Sequence, residues 1–193
     1  MNAAYVILDV QNDLTSTTGP GANGGLVKEV VGRKLIENTN VAIAKFRAHN
    51  VPIIFVRVGF TDDYREVSET SPMFTAIRGA GVVKLGSWGT EIHPDLDRQE
   101  SDPLVTKHRV SPFYGTSLEV YLRRLNVKNL YISGVSTSVA VQSTVRDAHD
   151  RDYACTVLSD CCAAATAEET EVSMSMMSRF AKIIASTDIV LEG

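Results

Sequence analysis

The sequence predicts an α/β protein, a three-layer α/β/α sandwich around a mainly parallel, six-stranded, Rossmann-like sheet. Two observations point there. Short, near-continuous apolar runs alternate along the chain with longer stretches whose apolar residues recur at helical spacing. Strand then helix, repeated, is the pattern of a parallel sheet buried on both faces, with right-handed crossovers placing helices on the two sides. The 193 residues suit a single domain, residues 1–193, large enough to bury a real core. No repeat, linker or low-complexity tract divides them.

Each element has its own signature. "AAYVILDV" reads as a buried strand ending at Asp9. One long helix follows, carrying Val27, Val31, Leu35, Ala42, Ile43 and Phe46. "VPIIFVRV" and "PLVTKH" are the second and third strands. A helix then presents Leu118, Tyr121, Leu122 and Leu125 on one face, and "NLYISGV" is the fourth strand. A further helix is expected from about Thr137 to Asp150, then the strand "YACTVLSD", with Cys161 and Cys162 near the next helix start. That helix is striped by Val172, Met176, Met177 and Phe180, and "KIIAS" closes the sheet. Only residues 59–102, rich in Gly, Pro, acids and aromatics, break the rhythm. Long irregular connections of this kind tend to be functional or mobile.

Composition excludes several classes. Apolar content of 44% with 22% charged residues is that of a folded globular chain, not a disordered one. A net charge of −4 without a Lys/Arg block gives no reason to expect nucleic acid as a partner. No signal peptide or membrane-spanning stretch is visible, so no membrane partner and a cytoplasmic setting are expected. Three cysteines, Cys155, Cys161 and Cys162, make neither a disulfide framework nor a zinc spacing.

In an open parallel sheet, ligands bind beyond the carboxyl ends of the strands. Asp9 stands at the first such end, followed by Gln11, Asn12 and Asp13; Arg57 and Phe60 follow the second, and Lys107, His108 and Arg109 the third. The fourth is the turn "SGVSTSVAV", where Gly134 permits a sharp bend and the following helix start offers free N–H groups to an anion or an oxyanion. If the strands are neighbours, Asp9, Lys107 and this turn converge on one pocket. Neither "DVQNDL" nor "GVSTSVAV" has the glycines of a dinucleotide or Walker A loop, so no phosphate cofactor is expected. A G-x-S-x-G elbow with a late histidine is also missing, which rules out a Ser-His-Asp hydrolase. Gln11, Phe60, Trp88, Phe113 and Tyr114 are candidate pocket residues, and His108 is read as a hydrogen-bonded core or rim histidine without a catalytic role.

"ILDVQND", "VTKHRVSPFYGTSLEVYLRRLNVKNLYISGV" and "GVSTSVAVQSTVRDAHDRDYACTVLSDCCAAAT", in this order, resemble the isochorismatase-like hydrolases, which include cysteine amidohydrolases and nicotinamidases. The resemblance implies a catalytic aspartate at Asp9 and a catalytic lysine at Lys107. It places the usual cysteine nucleophile on Ala140, a cis peptide between Val135 and Ser136, and an oxyanion hole at the Ser136 and Ala140 N–H groups. The nicotinamidase metal cluster has no counterpart: Asp62, Asp63 and Glu66 occupy that region without a histidine before His93, so no metal and no cofactor are expected. A methyl group cannot attack a carbonyl, so the usual covalent route is closed to this chain. What remains is general-acid hydrolysis of an isochorismate-like enol ether by Asp9, an amidohydrolase whose nucleophile has been replaced by Ala140, or a pocket that binds without catalysis. A small-molecule substrate and a homodimer or homotetramer complete the expectation.

Overall fold

Six parallel strands in the order β3-β2-β1-β4-β5-β6 form the centre of the molecule; the computed structural model describes residues 2–191. The strands are β1 (Ala3–Leu8), β2 (Ile53–Val58), β3 (Leu104–Lys107), β4 (Asn129–Val135), β5 (Ala154–Ala163) and β6 (Ala181–Ile184). Every residue of β1 is buried, as befits the middle of a sheet covered on both sides. Its side chains divide by parity. Ala4, Val6 and Leu8 join the layer of α5 (Leu118–Arg124) and α6 (Gln142–His149), while Ala3, Tyr5 and Ile7 join that of α3 (Leu35–Ala48). The period-two alternation of a strand thus feeds two separate cores.

The chain order reverses between β1 and β4, which lie side by side although residues 9–128 separate them. Such a switch point opens a crevice at the strands' carboxyl ends. Gly134 sits in that seam at φ +123°, and a Cβ there would stand 2.0 Å from the Leu8 carbonyl oxygen. Only glycine allows β4 to run this close to β1.

Several elements differ from the expectation. The long helix is two, α2 (Gly25–Gly32) and α3, separated where Lys34 turns left-handed at φ 53°. Apolar spacing continues across such a break, so periodicity alone hides it; Val31 ends up exposed. On α7 (Ala167–Met177), Val172 and Met176 face solvent, while Met177 packs inward with Thr170 and Ser173. β5 continues through Cys161 and Cys162, which are therefore strand residues. The turn after β4 begins as a π-helical loop, Thr137–Val141, before α6 starts. The irregular middle contains α4 (Pro72–Ala80), with Ser71 Oγ accepting from the Phe74 N–H and Gly81 closing it at φ +68°. The short helix α1 (Asn12–Thr15) follows β1 directly.

Candidate active site

Asp9 is the first residue beyond β1 and adopts φ 56°. A left-handed turn costs an L-residue about 1 kcal/mol, least for Asp and Asn. The turn leaves the carboxyl group buried at the head of the sheet, where Lys107, the last residue of β3, meets it with Nζ 2.8 Å from Asp9 Oδ2. Their side chains are 5% and 3% exposed, so water barely reaches the pair. Lys107 Nζ also donates to the Arg109 carbonyl at 3.2 Å. Asp9 Oδ1 is buried with no hydrogen-bond partner among the described residues. Burial pushes the Asp9 carboxyl above its ordinary pKa of 3.8, outweighing the ammonium that pulls the other way.

The third component is the β4 turn. The Val135–Ser136 peptide is cis, and the Ser136 carbonyl accepts from the Val139 and Val141 N–H groups, each at 3.2 Å. Asp9, Lys107, Val135, Ser136, Val139 and Ala140 all line one cavity of about 160 Å³. Strands β1, β3 and β4 therefore deliver the acid, the ammonium and the methyl-bearing turn to a common space. In this cavity the Ala140 methyl stands where the resemblance puts a thiol.

None of the five proposed pocket residues lines that cavity. Gln11 is wholly buried and clamps β2, its amide accepting from the Val58 N–H at 2.9 Å and donating to the Val58 carbonyl at 3.0 Å. Phe60 lies beneath Tyr64 and Phe74 in a satellite core. Phe113 belongs to the opposite layer, against Tyr153. Tyr114 is exposed, and Trp88 is half-exposed, with its carbonyl held by Asn12 Nδ2. His108, part-buried, bonds the Gly59 carbonyl through Nδ1 at 2.6 Å. Asp63 pairs with Arg65, Glu66 receives Thr61, and Asp62 meets Lys84 at 3.3 Å.

The actual cover comes from the middle segment: Met73, Phe74 and Ile77 on α4, then Val82 and Val83, with Leu14 and Leu26 beside them. A signal for α4 exists in "SPMFTAIRGAG": a Ser cap, Pro at the first helical position and Gly just past the end. "QND" fastens this cover. Asp13 Oδ2 accepts from the Val83 N–H at 2.7 Å. Asp13 also presses so close to Gly89 that a Cβ there would lie 2.0 Å from its carboxylate.

A doubly wound α/β domain with a buried acid–ammonium pair at its switch point defines a class, the small-molecule enzymes of the open-sheet folds. Comparison with known proteins narrows it. The isochorismatase domain model matches residues 3–188. The chain is 33% identical to the uncharacterized isochorismatase family protein YecD of Escherichia coli O157:H7, over 97% of this chain and 94% of that protein. It is 30% identical to the ureidoacrylate amidohydrolase RutB of Klebsiella pneumoniae subsp. pneumoniae, over 82% of this chain and 72% of that protein. A crystal structure of an isochorismatase family protein from Desulfovibrio vulgaris superposes with a TM-score of 0.85 at 26% identity, covering 96% of this chain and 95% of that one. The chain belongs to the isochorismatase family of hydrolases. Among the described residues no helix is long and apolar enough to cross a membrane.

Proposed function

We propose that this hydrolase acts without a covalent intermediate, with Asp9 as a general acid toward an enol ether of the isochorismate kind. The observation that carries the reading is the Asp9 carboxyl itself: buried, raised in pKa, with Oδ1 unpartnered among the described residues and the Ala140 methyl on the same cavity wall. Asp9 would give its proton to the terminal alkene carbon, whose π pair forms the new C–H bond. The oxocarbenium ion left behind takes up water at the ether-bearing carbon, and that water returns a proton to Asp9. The hemiketal then collapses to a ketone and an alcohol. Lys107 stabilises the carboxylate while the proton is away, and a positioned acid of this sort contributes roughly 10²–10⁴ in rate. Three unpaired thiols fit a cytoplasmic setting for the reaction.

A second reading, favoured by the amidohydrolase among the relatives, is an amide or ureide hydrolase whose thiol has been replaced by Ala140. There the Ser136 and Ala140 N–H groups would hold the oxyanion. Assaying the unaltered chain and Ala140→Cys against enol ethers, amides and ureides separates the two. Enol-ether turnover by the unaltered chain supports the acid; amidase activity gained only in Ala140→Cys supports the second reading; silence in both leaves a binding pocket. Under the first reading the rate falls as pH rises past the titration of Asp9, with a midpoint above 3.8. A rate that climbs over the same range excludes Asp9 as the acid.

A further inference from the structure

We propose that the cavity selects an uncharged molecule: an apolar body of about the size of benzene carrying one hydrogen-bonding head. The inference rests on the reading that this cavity is the substrate site, and it narrows the substrate class. Asp9, Lys107 and Ser136 are the only polar residues on its wall among the described residues. Everything else facing the space is aliphatic or aromatic, with Met73, Phe74 and Ile77 opposite the strand ends. A volume of about 160 Å³ matches the dry apolar cavity of roughly 150 Å³ that takes up benzene.

The charge count decides the rest. The one cation on the wall, Lys107, is already engaged by Asp9 at 2.8 Å. A second carboxylate, Asp13, lies just behind the cover, bonded to the Val83 N–H. Arg109 gives Lys107 its carbonyl but turns its guanidinium to the Glu66 and His108 carbonyls. With Asp9 and Lys107 both ionised, an anionic substrate would therefore enter an apolar space next to the Asp9 carboxylate and find no free counter-charge, and a desolvated unpaired carboxylate is strongly disfavoured. A dicarboxylate fits worst, so the enol ether of the proposed reaction is an uncharged one. A neutral head can instead donate to Asp9 Oδ1, the buried acceptor without a partner among the described residues.

Matched probes test this on the unaltered chain without any turnover: benzamide against benzoate, and isovaleramide against isovalerate, by calorimetry or ligand-observed NMR at pH 8. Each amide is expected to bind at least about tenfold more tightly than its acid. Met73→Lys, at a part-exposed site on the cavity wall, should supply the missing cation and shrink or reverse the preference. Equal or tighter binding of the acids overturns the proposal, as does failure of both amides to bind, or a preference indifferent to Met73→Lys. Turnover by Asp9→Asn reads the acid separately. A neutral preference without Asp9-dependent turnover would sink the chemical reading and leave the selectivity standing.

Discussion

The floor and the cover of the cavity are held by different forces. The floor consists of strand ends: Asp9, Lys107 and the Val135–Ala140 turn are carried by β1, β3 and β4, whose hydrogen-bonded ladders fix their spacing. The cover is the apolar side of α4 with Val82 and Val83, tied to the domain through the Asp13 carboxylate, which accepts from the Val83 N–H. Rigid ladders suit groups whose chemistry depends on tenths of an ångström. Packed side chains suit selectivity, because wall residues can change without moving the acid.

Breaking the floor should cost most. Gly134→Ala would drive a methyl into the Leu8 carbonyl at a φ that L-residues avoid, and we expect a stability loss of more than about 4 kcal/mol, read as a collapsed melting temperature. Lys107→Met comes next. It strands the Asp9 carboxylate in the core, for a loss of roughly 3 kcal/mol near neutral pH, and activity with it. That loss should shrink in acid, since Asp9, already raised in pKa and freed of its ammonium, takes up a proton as pH falls. A penalty in urea titrations that is flat with pH would mean the two groups do not form an ion pair. Phe74→Leu alters the cover alone. It should cost about 1 kcal/mol and change KM among substrates while the pH profile of kcat stays put. If the pH profile moved instead, floor and cover would not be separable.

The same division explains what could be read in advance. Strands that are buried on both faces announce themselves as continuous apolar runs, and a polar residue ending such a run is conspicuous; Asp9 and Lys107 were visible for that reason. Their meeting follows from β1 lying next to β2 and β4, and β2 next to β3. The wall residues were not visible. An aromatic side chain reports that it is to be covered, not by which core, so Phe60 and Phe113 went into two different layers, neither facing the cavity. Gln11 looked like a ligand contact because it follows the acid. Its amide instead completes the hydrogen bonding of the Val58 peptide groups, a task set by the neighbouring strand and invisible in one dimension. The break at Lys34 was hidden because Val27, Val31 and Leu35 keep helical spacing across it.

The three thiols point to a practical use of the molecule. Burial pushes Cys155 to about 11, Cys162 to about 12 and Cys161 higher still, so at neutral pH all three stay protonated and inert toward alkylating reagents. A cysteine introduced at residue 140 would instead open on the cavity, so a small alkylating reagent that fits there should modify it ahead of the other three.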